Sequence, residues 1–317
     1  MTTYAVTTAS KDTHLDAYRR AERALWGHYG LRPRERFIES ATARGRIRVL
    51  DTGSGDPVLF VHGTVGLGAW ASLIRELPEM RSIVVERPGW GLSSPIDYST
   101  VDYGACSAGV LGDVLDGLGL ESAHVVGGSI GNVWALRLAE RHPSRVRRVV
   151  LTGGGAIVQQ AGVPRPIKLI ASPLGGLMIR LSRKPETVRK ILRSSGHGPS
   201  LDDGRIPDVF VEWRAAVDRE TSSMRHERDM VRAIVKGNGY RSDLTFDGAE
   251  LAKIEEPVLH VFGTADAVGS PELWRQISEA LPDGRFQLIE GAGHMPWFDD
   301  VEAVAERIRR FLREEER

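Results

Sequence analysis

Gly127-Gly128-Ser129-Ile130-Gly131 sets a serine at the centre of a G-x-S-x-G pattern. It follows the apolar run His124-Val125-Val126 and precedes the helix-like segment WALRLAERH. A strand that turns straight into a helix strains its corner residue and pushes that side chain beyond the sheet edge. Residues two positions to either side must be small, which Gly127 and Gly131 satisfy. The helix start also aims free N–H groups and a positive dipole end at the same spot. A hydroxyl held there suits attack on a carbonyl, but serine is a weak nucleophile near neutral pH. It needs a base in hydrogen-bond reach and a carboxylate to orient that base.

Of nine histidines, only His294 lies in a Gly-rich loop (EGAGHMPWFDD) after a late strand-like run, FQLI. His124 and His260 fall within or at the start of strand-like runs, and His142 ends a helix. His14 and His28 belong to the N-terminal extension, and His197 and His226 to the helical middle of the chain. The orienting acid is expected at Asp266, in VFGTADAVGSPE, in the loop after the preceding run. The loop after VRRVVL reads TGGGA and offers no acid, while Asp243 and Asp247 precede their strand. The order Ser129, Asp266, His294 is the one expected of a nucleophile-elbow hydrolase.

Acyl transfer also needs N–H groups already aimed at the developing oxyanion. The N–H of Ile130 and that of Thr64, with Val65 as the alternative to Thr64, are expected in this role. The latter pair follows His62-Gly63 at the end of VLFV. His62 itself is expected to hold the loop by hydrogen bonds.

These residues need a scaffold. Short apolar runs recur at 58–61, 83–86, 124–126, 146–151, 258–262 and 286–289, with helix-length amphipathic segments between several of them. That rhythm implies an α/β fold, a mainly parallel sheet covered on both faces. Two further strand-like runs, RFIES and GRIRVL, come earlier. The interval 157–243 carries no convincing strand and reads as several helices, an all-helical cap over the strand ends. The expected organisation is an N-terminal helical extension (1–35), a core in two parts (36–156 and 244–317), and the cap (157–243) between them.

Bulk properties narrow the partners. Lys plus Arg and Asp plus Glu both number 42, so the formal charge is zero and no nucleic-acid partner is expected. The sole cysteine, Cys106, sits in an apolar stretch and is expected in the core. One cysteine cannot form an intrachain disulfide, which fits a reducing, cytoplasmic location. No signal peptide, membrane span, phosphate-binding loop or metal-ligand spacing is visible, so no cofactor or metal is expected. GTVGLG does not match a dinucleotide fingerprint in its order of glycines.

Four segments taken in order resemble the α/β-hydrolase family: VLFVHGTVGLGAW, VVERPGWGLSSP, HVVGGSIGNVWALRLAERHPSRVRRVVLTG and PVLHVFGTAD…IEGAGHMPWFDD. The resemblance runs from about residue 36 to the C-terminus. It implies the α/β-hydrolase fold with a helical cap, Ser129 as nucleophile, His294 as base, Asp266 as orienting acid, and Thr64 and Ile130 as oxyanion donors. Dehalogenases and epoxide hydrolases of the family place aspartate at the nucleophile position, so Ser129 speaks against both. GGSIG is similar to prolyl aminopeptidases, but ERPG at 86–89 departs from their DQRG. Glu86 stands where the family more often has Asp, and Trp90 where a smaller or imidazole side chain is common.

The expected activity is hydrolysis of an apolar, ester-type small molecule through an acyl-enzyme, by a monomer or homodimer. Val65, Trp90 and Trp213, with Leu174, Leu177 and Met178 of the cap, are expected around the substrate. Carbon–carbon bond hydrolysis by the same serine, a lyase or cyclase, and a ligand receptor with a vestigial triad are the alternatives.

Overall fold

A computed structural model describes residues 5–155, 157–159, 162–181 and 184–314. The first helix, α1 (Ala5–His28), leads into β1 (Arg34–Ser40), β2 (Gly45–Thr52) and β3 (Asp56–Val61). Helix α2 (Ala71–Arg75), β4 (Met80–Val85), α3 (Tyr103–Gly117), β5 (Ala123–Gly128), α4 (Gly131–Arg141) and β6 (Val146–Thr152) follow. The cap comes next: α5 (Arg165–Ala171), α6 (Gly175–Leu181), α7 (Pro185–Leu192), α8 (Gly198–Asp202), α9 (Asp208–Glu220) and α10 (Ser223–Ile234). A two-residue hairpin, β7 (Val235–Lys236) and β8 (Gly239–Tyr240), closes it, an element too short to leave a sequence signal. The chain then adds α11 (Gly248–Leu251), β9 (Val258–Gly263), α12 (Pro271–Glu279), β10 (Gly284–Ile289) and α13 (Val301–Leu312).

The main sheet has the order β1-β2-β4-β3-β5-β6-β9-β10, and only β2 runs against the others. Its strands are β-branched because both faces are buried. Successive side chains point to opposite faces, so Leu59 and Val61 join one apolar core with Val114, Leu115 and Trp134, while Val58 and Phe60 join the other with Leu73, Val304 and Ile308. Each such side chain, wholly withdrawn from water, contributes roughly 1.5–3 kcal/mol. Cys106 lies in the first core, and burial pushes its thiol up to about 12, as an inert packing group requires.

The N-terminal helix is an integral part of this packing. Tyr18, Leu25 and Trp26 of α1 lie in the second core. Its Glu22 meets Arg48 of β2, whose guanidinium also reaches Glu35 at 2.6 Å and Glu86 at 3.1 Å. Glu86 accepts the N–H groups of Leu92 and Ser93 at 2.7 and 3.0 Å. Its extra methylene over aspartate therefore serves a buried network at the strand end.

Candidate active site

Strand β5 ends at Gly128 and α4 begins at Gly131, so Ser129 turns the chain within two residues. Its φ is +56°, one of two positive values among the described non-glycine residues. Holding a side chain there costs roughly 1–3 kcal/mol, which surrounding contacts must offset. They do so on three sides. Ser129 N–H donates to Thr152 O at 3.1 Å, and Asn132 N–H returns to Ser129 O at 3.0 Å. Asn132 Nδ2 reaches the carbonyls of Thr152 and Gly153, and its Oδ1 accepts Thr152 N–H. The flanking glycines are needed for space. A Cβ on Gly127 would lie 2.7 Å from Gly131 O, and one on Gly131 would lie 2.1 Å from Val61 O.

His294 stands in the loop after β10. Its Nδ1 lies 2.9 Å from Asp266 Oδ1 and 3.0 Å from Oδ2. Asp266, in the loop after β9, is itself held by the N–H groups of Gly154 and Val268, each at 2.8 Å. The carboxylate is thus oriented before it meets the imidazole, and engagement of Nδ1 leaves Nε2 as the free basic nitrogen of His294.

The third loop carries His62 to Gly66. Burial, reinforced by the Arg87 cation, holds His62 well below the usual imidazole range, so it stays neutral. Its Nδ1 donates to Gly63 O at 2.7 Å and its Nε2 accepts Arg87 N–H at 3.0 Å, the bracing role the sequence suggested. A Cβ on Gly63 would sit 2.7 Å from Ser129 Cβ, so this loop lies directly against the serine.

The three loops enclose one cavity, lined by His62 to Gly66, Ala69, Trp70, Gly128, Ser129, His294, Met295 and Trp297. Ser129 and His294, far apart in sequence, share it, and Thr64 and Val65 line it as well. Ile130 is 7% exposed and is the residue from which α4 starts, next to Ser129. The cavity is narrow, about 20 Å³, room for roughly one water. No Lys or Arg lines it among the described residues. A larger hollow of about 520 Å³ lies between α1 and β2 and contains none of Ser129, Asp266 and His294. Among the described residues no group of His, Cys, Asp or Glu is arranged to hold a metal ion.

Several expected pocket residues lie elsewhere. Trp90 is 3% and Trp213 is 1% exposed, and neither lines the cavity. Both pack behind it against Gly66. Trp90 Nε1–H donates to Glu227 Oε2 of α10 at 2.7 Å, and Arg87 reaches the same oxygen at 3.0 Å, pinning the cap to the core. Leu174 and Leu177 are 64% and 59% exposed and face solvent, while the side chain of Met178 lies outside the described residues. Trp70, Trp297 and Met295 line the cavity in their stead. Trp70 and Trp297 stack with centroids 4.4 Å apart, and Trp297 Nε1–H donates to Ala69 O. The local signal for Trp297 and Met295 was their position beside His294.

The sequence profile of the alpha/beta hydrolase family matches residues 58–307. The chain belongs to this family. It is 28% identical over 276 residues to a 2-hydroxy-6-oxononadienedioate/2-hydroxy-6-oxononatrienedioate hydrolase of Paraburkholderia phymatum, covering 84% of this chain and 91% of that one. It is 23% identical over 282 residues to a 2-hydroxy-6-oxo-6-phenylhexa-2,4-dienoate hydrolase of Burkholderia cepacia, covering 86% and 93%. The naproxen esterase of Bacillus subtilis shares the fold with a TM-score of 0.73 at 21% identity, over 95% of this chain and 98% of that one. An α/β-hydrolase enzyme with a helical cap is therefore established. No helix among the described residues is long and apolar enough to cross a membrane.

Proposed function

We propose that this enzyme is a serine hydrolase that cleaves the carbon–carbon bond beside a ketone in a small conjugated oxo-acid. The observation that carries the serine mechanism is the shared cavity of Ser129 and His294, with His294 Nδ1 engaged 2.9 Å from Asp266. The bond class is supported by the hydrolases of 2-hydroxy-6-oxo-dienoates that match most of the chain.

In this reading His294 Nε2 takes the Ser129 proton as Oγ attacks the ketone carbon. The N–H groups of Ile130 and Thr64 hold the oxyanion. A carbon leaving group needs an electron sink. Tautomerisation moves the 2-hydroxyl proton of a 2-hydroxy-6-oxo-dienoate to C5 and gives the 2-oxo form. Breaking C5–C6 then returns the electron pair through C3=C4 to the C2 oxygen, which takes from His294 the proton that came from Ser129 and leaves the imidazole neutral again. Water, deprotonated by His294, attacks the acyl-enzyme to release the acid and regenerate the Ser129 hydroxyl.

Simple ester hydrolysis is the second reading, and the uncharged cavity favours it. Arg214 of the cap already meets Asp218 and approaches Thr64 O at 3.4 Å. A neutral acyl group fits such walls without a counter-ion. The experiment is parallel turnover of 2-hydroxy-6-oxo-6-phenylhexa-2,4-dienoate and a p-nitrophenyl ester series. A kcat/KM for the dienoate at least tenfold above the best ester supports the first reading, and the reverse ranking supports the second.

A further inference from the structure

Three consecutive N–H groups, those of Gly293, His294 and Met295, are each held by a hydrogen bond at the cap–core boundary. Gly293 N–H donates to Asp299 Oδ2 at 2.8 Å, His294 N–H to Ser195 O at 2.9 Å, and Met295 N–H to His197 Nε2 at 3.1 Å. Ser195 and His197 belong to the cap, in the turn Arg193–His197 between α7 and α8. His197 is fully buried, and its other nitrogen, Nδ1, lies 2.7 Å from the same Asp299 Oδ2. Ser200 of α8 bonds Asp299 Oδ1.

The fit is tight on the acid side as well. Gly196, with φ +94°, sits so close that a Cβ would meet Ala265 O at 2.6 Å and Gly293 Cα at 2.7 Å. The cap turn therefore touches the residue before Asp266 and the residue before His294. Burial alone would push the Asp299 carboxyl up, but His197, Ser200 and Gly293 N–H outweigh it and hold the group below the ordinary carboxylate range. A charged carboxylate so placed favours the tautomer in which His197 Nδ1 donates and Nε2 accepts.

We infer that His197, braced by Asp299 of the core, is a positioning residue for His294: the cap sets the register of the catalytic histidine's loop through the N–H groups of His294 and Met295. This rests on the reading of His294 as the base. The cap then has two parts with different duties. The 195–200 segment belongs to the frame of the triad, and the rest of the cap does not touch the His294 loop through these bonds.

The test compares wild type with His197→Ala, His197→Gln and Asp299→Asn. Active sites are counted by phosphonate labelling, and amide hydrogen exchange is followed across residues 292–296. His197→Ala is expected to lower kcat about 10²-fold per labelled site with little change in KM, the scale of an ångström-sized displacement of a reacting group. It is also expected to lose exchange protection at His294 and Met295. His197→Gln is expected to recover most of both, because its Oε1 can accept Met295 N–H. Should His197→Ala not fold, Asp299→Asn, which keeps the shape, carries the same expectations in weaker form. Unchanged exchange at 293–295, or a kcat that falls only with the folded fraction, overturns the inference. If His294→Ala keeps full turnover, the base assignment falls instead, and the exchange measurement alone decides whether His197 holds the loop.

Discussion

His294 Nδ1 and the Asp266 carboxylate face each other across 2.9 and 3.0 Å, one nitrogen against both oxygens. Two further N–H donors, Gly154 and Val268, fix that carboxylate from behind. Neutralising it while keeping its shape changes the tautomer it can hold. Asp266→Asn is therefore expected to lower kcat by about 10³–10⁴-fold with little change in fold, by analogy with other serine triads. Steady-state kinetics beside a thermal melt checks this, and a loss under tenfold would contradict the orienting role.

Space around Ser129 is as restrictive as its chemistry. Gly63→Ala puts a methyl 2.7 Å from Ser129 Cβ and 3.0 Å from Gly128 O, so the serine or the His62–Gly66 loop must shift. Turnover is expected to fall at least about 10²-fold. Gly112, inside α3 with nothing within 4 Å of an added Cβ, is the control. Gly112→Ala is expected to raise stability by up to about 1 kcal/mol with turnover unchanged.

The buried pair Arg87 and Glu227 ties cap to core, each side chain 1% exposed. Glu227→Ala leaves the guanidinium buried without its counter-charge. A loss of about 3–5 kcal/mol is expected in urea unfolding. The double variant Arg87→Met with Glu227→Leu is expected to regain most of it, and equal losses in both would contradict the pairing argument.

Four buried groups set a pH slope. Burial holds His62 well below the usual 6.5, and His124 and His260 near 4, so each stays neutral while the unfolded chain takes up a proton. Their stabilisation is complete above 6.5 and is lost as pH falls through the folded values. Glu86 works in the opposite sense. Burial raises it from 4.5 to about 7, so the folded state holds its proton longer, and the stability this confers below 4.5 is lost as pH rises through 7. Between pH 5 and 6 the unfolded chain binds about two more protons from these groups, so stability is expected to fall by roughly 3 kcal/mol per unit of acidification. Urea titrations at both pH values measure it. His260→Gln is expected to lessen the slope by about one proton, and Glu86→Gln to steepen it.

The candidate residues Ser129, Asp266 and His294 stood out because each sits where a strand ends, a place marked by local residue types: GGSIG after the run at 124–126, GTAD after that at 258–262, and GAGH after the last. The alternation of apolar runs and amphipathic segments likewise identified the mainly parallel sheet, and RFIES and GRIRVL read as strands before it, now β1 and β2. Other features depend on contacts between distant segments. Glu86 read only as a departure from the family's usual Asp at the strand end, but it pairs with Arg48 and with Tyr18 of α1, 38 and 68 positions away in the chain. Trp90 and Trp213 were expected around the substrate because large aromatics suit pocket walls. Which side of the Gly66 loop they occupy depends on how α9 and α10 pack, and no periodicity records that. His197 read only as a cap histidine, since its partners Met295 and Asp299 lie about a hundred residues on.

The Ser129 hydroxyl is proposed as the nucleophile, and covalent capture shows whether it is. The enzyme is treated with a fluorophosphonate, digested, and the adduct located by mass spectrometry, beside Ser129→Ala and His294→Ala. A single stoichiometric adduct on Ser129, absent from Ser129→Ala and strongly slowed in His294→Ala, is the predicted result. Labelling of Ser129→Ala at the wild-type rate, or an adduct on another residue that abolishes turnover, would contradict it.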